Sequence, residues 1–140
     1  MFLLDTNVVS ELRKAKAGKA DPNVVAWANS VSAGSLFISV VTILELELGI
    51  LQLNRRDPAQ GEILRLWFSG HVIPAFDGRI LPIDAPVAVT CAKLHVPHPH
   101  AERDALIAAT GLVNDLTVVT RNIPDFQSTG VRLINPWATQ

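Results

Sequence analysis

The sequence predicts an α/β fold in which a mainly parallel sheet has helices on both faces. Short apolar runs alternate along the chain with longer segments of helical periodicity, as in β-α-β units. Several of the helical segments begin at an aspartate, a residue type that caps helix N-termini. A chain of 140 residues with 49% hydrophobic content can bury the core of one compact domain, and we expect a single domain over residues 1–140.

Capping residues define the predicted helices of the first half of the chain. Asp5 ends the first apolar run and opens a helix, and Asp21 and Asp57, each followed by proline, open two more. Apolar residues cover most of the circumference of the segment 40–54, so we expect that helix to be buried on several sides. In chain order the predicted elements are a strand at 2–4, helices at 6–12 and 22–31, a strand at 35–39, and helices at 40–54 and 58–67.

The second half of the chain continues the alternation. Asp84 caps a helix that follows the third short strand, and a proline-interrupted segment, HVPHPH, precedes the next helix. The predicted elements are a strand at 79–83, helices at 85–94 and about 101–114, a strand at 117–120, a loop around 122–125 and a last strand at 131–134.

Composition excludes several classes of protein. The net charge of -1 creates no overall field that would attract nucleic acid or an anionic membrane, so any polyanion must be held by a local patch. No segment approaches the roughly 20 apolar residues of a membrane helix, and the N-terminus lacks the features of a signal peptide. The single Cys91 cannot form an internal disulfide and is expected to be a small buried side chain. We expect a cytoplasmic protein.

Acidic residues occur where a parallel sheet binds its ligands, beyond the carboxyl ends of the strands. Asp5 follows the first strand, Asp104 lies in the first turn of a helix, and Asn122 and Asp125 follow the strand TVVT. Glu45 lies on a narrow polar line of an otherwise apolar helix. Together these residues predict one acidic site.

Each acid also has a purely structural interpretation. Asp5 could be only a helix cap, Thr42 and Glu45 match the spacing of a capping box, and Asp104 could complement a helix dipole. As a set, however, buried carboxylates without a counter-charge are costly, and a shared cation removes that cost. Oxygen ligands favour Mg²⁺ or Mn²⁺ over Zn²⁺, and such ions support the hydrolysis of a phosphodiester.

Other polar and aromatic groups are weaker candidates. His95, His98 and His100 could suggest a zinc or nickel site, but Pro97 and Pro99 prevent a regular ligand spacing, and we expect an exposed loop. Arg121 is the best candidate for a substrate phosphate contact, because it lies between two polar residues after a strand. A solvated or ion-paired surface position is the expected role of the other candidate arginines, 55, 56, 79 and 103. The three tryptophans, 27, 67 and 137, are expected in the core or in an interface.

One surface of the predicted fold is unusually apolar. The helix pair 44–53 and 63–68 carries more apolar residues than a small domain needs, which indicates a surface covered by a partner. A homodimer interface and a groove for an amphipathic helix of another protein both fit this pattern.

Four segments, MFLLDTNVVSEL, SVVTILELELGI, RDALIAAT and VVTRNIPDF, occur in this order across the chain. In these segments the chain resembles the PIN-domain ribonucleases, and in particular the VapC and FitB type of toxin from prokaryotic type II toxin–antitoxin modules. The similarity extends from Met1 to about Pro136. The resemblance implies a three-layer α/β/α PIN-like fold and an endoribonuclease toxin that depends on Mg²⁺ or Mn²⁺. It also implies inhibition by a cognate antitoxin, and homodimers occur among such toxins.

The resemblance also implies roles for individual residues. The acids of the family fall on Asp5, Glu45 and Asp104, with Asp5 and Asp104 as metal ligands, and the fourth position falls on Asn122 or Asp125. The neutral Asn122 leaves less charge for a second metal ion. The polar positions that line such sites are Thr6, Asn7 and Thr120. One departure is Glu47, where many relatives carry basic or aromatic residues, and an exposed Glu47 would weaken the affinity for RNA.

Two other functions compete with a ribonuclease. The first is a non-catalytic binding module in which the acidic cluster holds an ion for stability and the apolar helices pair with a regulator of transcription. The second is a phosphatase or phosphoacceptor domain with Asp5 as nucleophile, which is weaker because position 7 is Asn and not a second aspartate.

Overall fold

The fold, taken from a computed structural model that describes residues 1–138, is built on a five-stranded sheet. The strand order is β3-β2-β1-β4-β5, and all four strand pairs are parallel. This confirms the predicted α/β class. The strands are β1 (Phe2–Leu4), β2 (Leu36–Ser39), β3 (Ile80–Leu81), β4 (Thr117–Val119) and β5 (Leu133–Ile134).

Eight α-helices connect and flank the strands in the described part of the chain. They are α1 (Thr6–Leu12), α2 (Pro22–Asn29), α3 (Val40–Arg56), α4 (Pro58–Trp67), α5 (Ile73–Ala75), α6 (Ala85–Leu94), α7 (Glu102–Val113) and α8 (Ile123–Phe126). A π-helical turn, Phe68–Val72, joins α4 to α5, a continuation that the sequence pattern did not predict. None of these helices is long and apolar enough to cross a membrane.

Side chains of the central strands alternate between the two faces of the sheet, and each face is covered by a layer of helices. In β1, Leu3 packs into one buried cluster with Ile107 of α7, whereas Leu4 packs into another with Val8 of α1. Successive side chains of a strand point to opposite faces, so each face of the sheet acquires its own helices. The result is helices on both faces of a central sheet.

The predicted helix caps are confirmed. The carboxylates of Asp21 and Asp84 accept backbone N–H groups at the starts of α2 and α6. Helix α3, however, is capped by Ser39, whose Oγ accepts the Val41 N–H at 3.0 Å. The capping-box interpretation of Thr42 is therefore wrong, because Thr42 lies inside α3 and is fully buried.

Two further expectations need correction. The segment expected as a loop around 122–125 contains the helical turn α8, because Pro124 in its first turn has a φ angle suited to a helix start. Helix α3 is not buried on several sides. Leu44 and Leu51 are 51% and 52% exposed, and Ile63 and Leu66 of α4 are exposed as well. These exposed residues lie on the helix pair 44–53 and 63–68, where an apolar surface was expected.

Candidate active site

A cleft of about 440 Å³ opens at the carboxyl ends of the central strands. Asp5 enters it from the end of β1, Glu45 from α3 and Asp104 from the first turn of α7. Asn122 and Arg121, which follow β4, line it too. Segments far apart in sequence therefore meet where the topology of a parallel sheet places ligands. The complete set of lining residues is Asp5, Thr6, Asn7, Ser10, Glu11, Lys14, Glu45, Asp104, Arg121, Asn122 and Trp137.

Asp5 is the most constrained of the acids. Its side chain accepts the Thr6 N–H at Oδ1 and the Thr120 hydroxyl at Oδ2, both at 2.8 Å. Its own N–H donates to Val119 O at 2.9 Å, which joins the residue to β4. Asp5 is therefore both a cap of α1 and a wall of the cleft. Burial raises its pKa against the lowering effect of these hydrogen bonds, and the charges of Glu45 and Asp125 raise it further.

Thr6 and Arg103 hold Glu45. The Thr6 hydroxyl donates to Glu45 Oε1 at 2.7 Å and lies 3.0 Å from the hydroxyl of the buried Thr42. On the outer side, Arg103 Nη1 lies 3.7 Å from Glu45 Oε2. Because both oxygens have a partner, the carboxylate keeps a defined orientation beside Asp5.

Burial and the negative charges of the other acids also act on Asp104. Loss of solvent, followed by the charges of Asp5, Asp125 and Glu45, raises its pKa to about 6. The exposed Asp125 is not one of the residues that line the described cleft, yet its charge raises the pKa of both Asp5 and Asp104. Asn122 lines the cleft but adds no charge.

This donor set fits a divalent cation. Oxygen atoms of carboxylates are the ligands that Mg²⁺ and Mn²⁺ prefer, and the mutual repulsion of the acids is the energy that such an ion relieves. The charges of two other acids raise the pKa of Asp5, and the charges of three raise that of Asp104.

Four lining residues were not predicted as part of the site. Ser10, Glu11 and Lys14 share the face of α1 and its extension that begins at Thr6, and helical spacing from Thr6 would have identified them. Trp137, expected in the core or in an interface, lines the cleft with the guanidinium of Arg121 5.2 Å from its ring centroid.

Two charged residues have roles other than those considered from the sequence. Arg79 is a structural residue and not a surface ion pair, because its guanidinium donates to the backbone carbonyl oxygens of Ala33, Leu36 and Ala75. The charge of Glu47 is not free, because both of its oxygens accept hydrogen bonds from Arg65 of α4. The weaker affinity for RNA expected from an exposed Glu47 is therefore largely offset.

The histidine segment forms a hydrogen-bonded cluster beside α6. Cys91 Sγ lies 3.8 Å from His95 Nε2, and Glu102 Oε2 lies 3.2 Å from the same nitrogen. His95 Nδ1 accepts the backbone N–H of His100 at 3.1 Å, so the neutral ring carries its hydrogen on Nε2. That hydrogen occupies the nitrogen which would face a metal ion. His98 is exposed, as expected, but His95 is half-buried.

Known proteins resemble this chain in sequence. The family model described as PIN domain matches residues 2–130. The chain is 37% identical to Toxin FitB of Neisseria gonorrhoeae, with 98% of this chain and 99% of the relative covered. It is 34% identical to VapC ribonuclease Y4jK of Sinorhizobium fredii, with 98% of each covered.

Solved structures show the same fold. The FitAcB crystal structure from Neisseria gonorrhoeae matches with a TM-score of 0.89 and 35% identity, over 99% of this chain and 100% of the matched chain. The structure of FitAB bound to an IR36 DNA fragment matches with a TM-score of 0.89 and 33% identity, over 100% and 98% of the two chains. The acidic cleft thus lies in a fold that extends over the whole of these relatives, and the chain belongs to the PIN-domain family.

Proposed function

We propose that this protein is a metal-dependent endoribonuclease that acts as the toxin of a type II toxin–antitoxin module. The observation that carries the proposal is the convergence of Asp5, Glu45 and Asp104 in one cleft at the carboxyl ends of the sheet. The names of two relatives, Toxin FitB and VapC ribonuclease Y4jK, support the same function. In this proposal the protein acts on RNA in the cytoplasm.

In this proposal Asp5 and Asp104 hold Mg²⁺ or Mn²⁺, and Glu45 and Asp125 complete the acidic set. When bound, the ion lowers the pKa of a water molecule and offsets charge on the phosphate. Thr120 and Thr6 keep the carboxylates of Asp5 and Glu45 in fixed orientations through hydrogen bonds of 2.8 and 2.7 Å. Carboxylate oxygens that are already held in place need little rearrangement to bind the ion.

The remaining polar residues of the cleft receive the substrate. Arg121 lies at the end of β4 beside the acids and would contact a phosphate of the RNA, which supplies the attraction that a net charge of -1 does not. Asn7 supports this position, because its Oδ1 accepts the backbone N–H of Arg121 at 3.4 Å. Asn122, whose N–H donates to Thr120 Oγ1 at 3.0 Å, borders the same space.

A cognate antitoxin and a second copy of the chain would cover the exposed apolar faces of α3 and α4. Leu44, Leu51, Ile63 and Leu66 are all more than half exposed. A surface of this kind is typical of an interface. The FitAcB and FitAB structures support an antitoxin as one of the partners.

Cleavage of a labelled mixture of total tRNA and rRNA tests the proposal. The antitoxin-free protein is incubated in Mn²⁺, Mg²⁺ or EDTA beside Asp5→Asn, Asp104→Asn and the control Asp84→Asn, which changes the same charge outside the cleft. Discrete products that require metal, persist in Asp84→Asn and disappear in the other two variants would support a nuclease. Mn²⁺ binding by a folded protein without any cleavage would instead favour the non-catalytic binding module.

A further inference from the structure

The pair formed by Arg121 and Trp137 is the feature of the cleft that metal binding does not explain. Both residues line the same cavity as Asp5, Glu45 and Asp104, yet neither is a metal ligand. Arg121 Cζ lies 5.2 Å from the centroid of the Trp137 ring, within the range of a cation–π contact. The cleft therefore has an acidic part and a part that is aromatic and basic.

Trp137 is held in place by its own backbone. Its N–H donates to Asn135 Oδ1 at 3.0 Å, and its carbonyl oxygen accepts Asn23 Nδ2 at 2.9 Å. The side chain is half-buried and packs partly against the cluster that contains Leu4 and Trp27. One part of the ring is thus fixed by the core, and another borders the cleft.

Arg121 is exposed, and its positive charge is one of the causes that lower the pKa of Glu11 on the same cleft. A guanidinium over the face of a ring can keep the N–H groups at its edge for other acceptors. The other cation of the cleft, Lys14, pairs with Glu11 at 3.0 Å. Within residues 1–138, no carboxylate lies within salt-bridge distance of the Arg121 guanidinium.

We infer that Arg121 and Trp137 form a subsite for one unpaired nucleotide of the RNA, next to the phosphate whose hydrolysis the carboxylates and their ion would promote. The edge of Arg121 binds a phosphate oxygen, and the base stacks on the free surface that the two side chains present. This inference rests on the proposed nuclease function. Flat aromatic and guanidinium surfaces bind bases that have left a helix, so the base held at this subsite is unpaired.

Fluorescence of 2-aminopurine tests the stacking directly, because a stacked 2-aminopurine is quenched. The probe is a ten-nucleotide single-stranded RNA with one central 2-aminopurine, titrated with the full chain in Ca²⁺. The variants are Trp137→Ala, Trp137→Phe and Arg121→Met, with Arg13→Met as the matched control. Arg13 also stacks on a tryptophan, Trp67, at 5.9 Å, but neither of these two residues lines the acidic cleft.

We expect quenching by the wild-type protein and about tenfold weaker binding by Trp137→Ala, since base stacking is worth roughly that factor or more. Trp137→Phe should retain most of the affinity, which separates stacking from a loss of folding. Arg121→Met should lower the salt dependence of log Kd by about one phosphate contact, whereas Arg13→Met should not. A fully paired duplex of the same sequence should compete poorly.

Two results would overturn the subsite. One is equal binding and quenching by wild type and Trp137→Ala, and the other is the absence of quenching by wild type itself. Cleavage assays separate this failure from failure of the nuclease proposal. If wild type cleaves RNA and Trp137→Ala has unchanged KM and kcat, only the subsite is wrong, whereas RNA that binds without being cut contradicts the nuclease.

Discussion

Asp104→Asn should make the metal-free protein more stable while it abolishes cleavage. The pKa of Asp104 rises from an ordinary 3.8 to about 6 through burial and the charges of the neighbouring acids. One pKa unit corresponds to about 1.4 kcal/mol, so ionised Asp104 costs at most about 3 kcal/mol of folding free energy. The side chain is only partly buried, and solvent screening reduces this to roughly 1.5 kcal/mol. At an unfolding entropy of about 2.1 cal/mol/K per residue, a chain of 140 residues would gain about 5 °C in Tm.

Thermal unfolding in EDTA measures this gain, and its pH dependence identifies the cause. A raised pKa means that the folded state binds the proton more tightly, so stability falls as the pH rises from about 3.8 to about 6. The advantage of Asp104→Asn should therefore be complete at pH 7.5 and about half as large at pH 5. The control Asp84→Asn keeps a capping side chain on α6 and should change Tm by less than about 1 °C.

Excess Mn²⁺ provides the complementary measurement. Binding to the folded state should raise the Tm of wild type and leave Asp104→Asn nearly unchanged. A lower Tm of Asp104→Asn in EDTA at pH 7.5, or a gain that is the same at both pH values, would refute the electrostatic reasoning.

Three further predictions concern the surroundings of the cleft. Thr120→Val removes the hydroxyl that donates to Asp5 and should weaken Mn²⁺ binding about 10- to 100-fold, as measured by calorimetry. An unchanged affinity would contradict a positioning role for Thr120. Gly61→Ala should lower the free energy of unfolding in urea by about 1–3 kcal/mol, because the new Cβ would lie 2.7 Å from Asn54 Cα. An unchanged free energy would mean that α3 and α4 can separate freely. Burial raises the pKa of the Cys91 thiol. Iodoacetamide at pH 7 should therefore label this thiol slowly in the folded protein and quickly in urea. Rapid labelling of the folded chain would contradict this prediction, because it would show an accessible thiol.

The alternation of short apolar runs with helical segments was sufficient to predict the sheet and its flanking helices. Capping residues such as Asp21 and Asp84 located helix starts well, because a cap depends on local hydrogen bonds alone. Burial was harder to predict. Leucine is a residue type that is common in cores, yet Leu44 and Leu51 are exposed. The number of faces that a helix buries depends on tertiary packing, which a local sequence pattern does not show.

Site residues that directly follow a strand were the easiest to predict from the sequence. Asp5 and Asn122 lie in the cleft because strand ends converge there in any parallel sheet. Trp137 could not be placed in this way, since it follows the edge strand β5 and reaches the cleft only through the turn fixed by Asn135. The meeting of Cys91 with Glu102 across two helices is likewise a matter of packing, which sequence spacing does not reveal.

The central place of β1 in the sheet has a consequence for synthesis of the chain. Strand β1 is synthesised well before one of its two neighbours, β4, which spans Thr117–Val119. Asp5 gains its hydrogen bonds to Val119 and Thr120 only after these residues have been made. Pairing between segments so distant in sequence is also slow to form. A chain that has not yet reached β4 would therefore lack the assembled acidic cleft, so the proposed nuclease activity requires that β4 has been made.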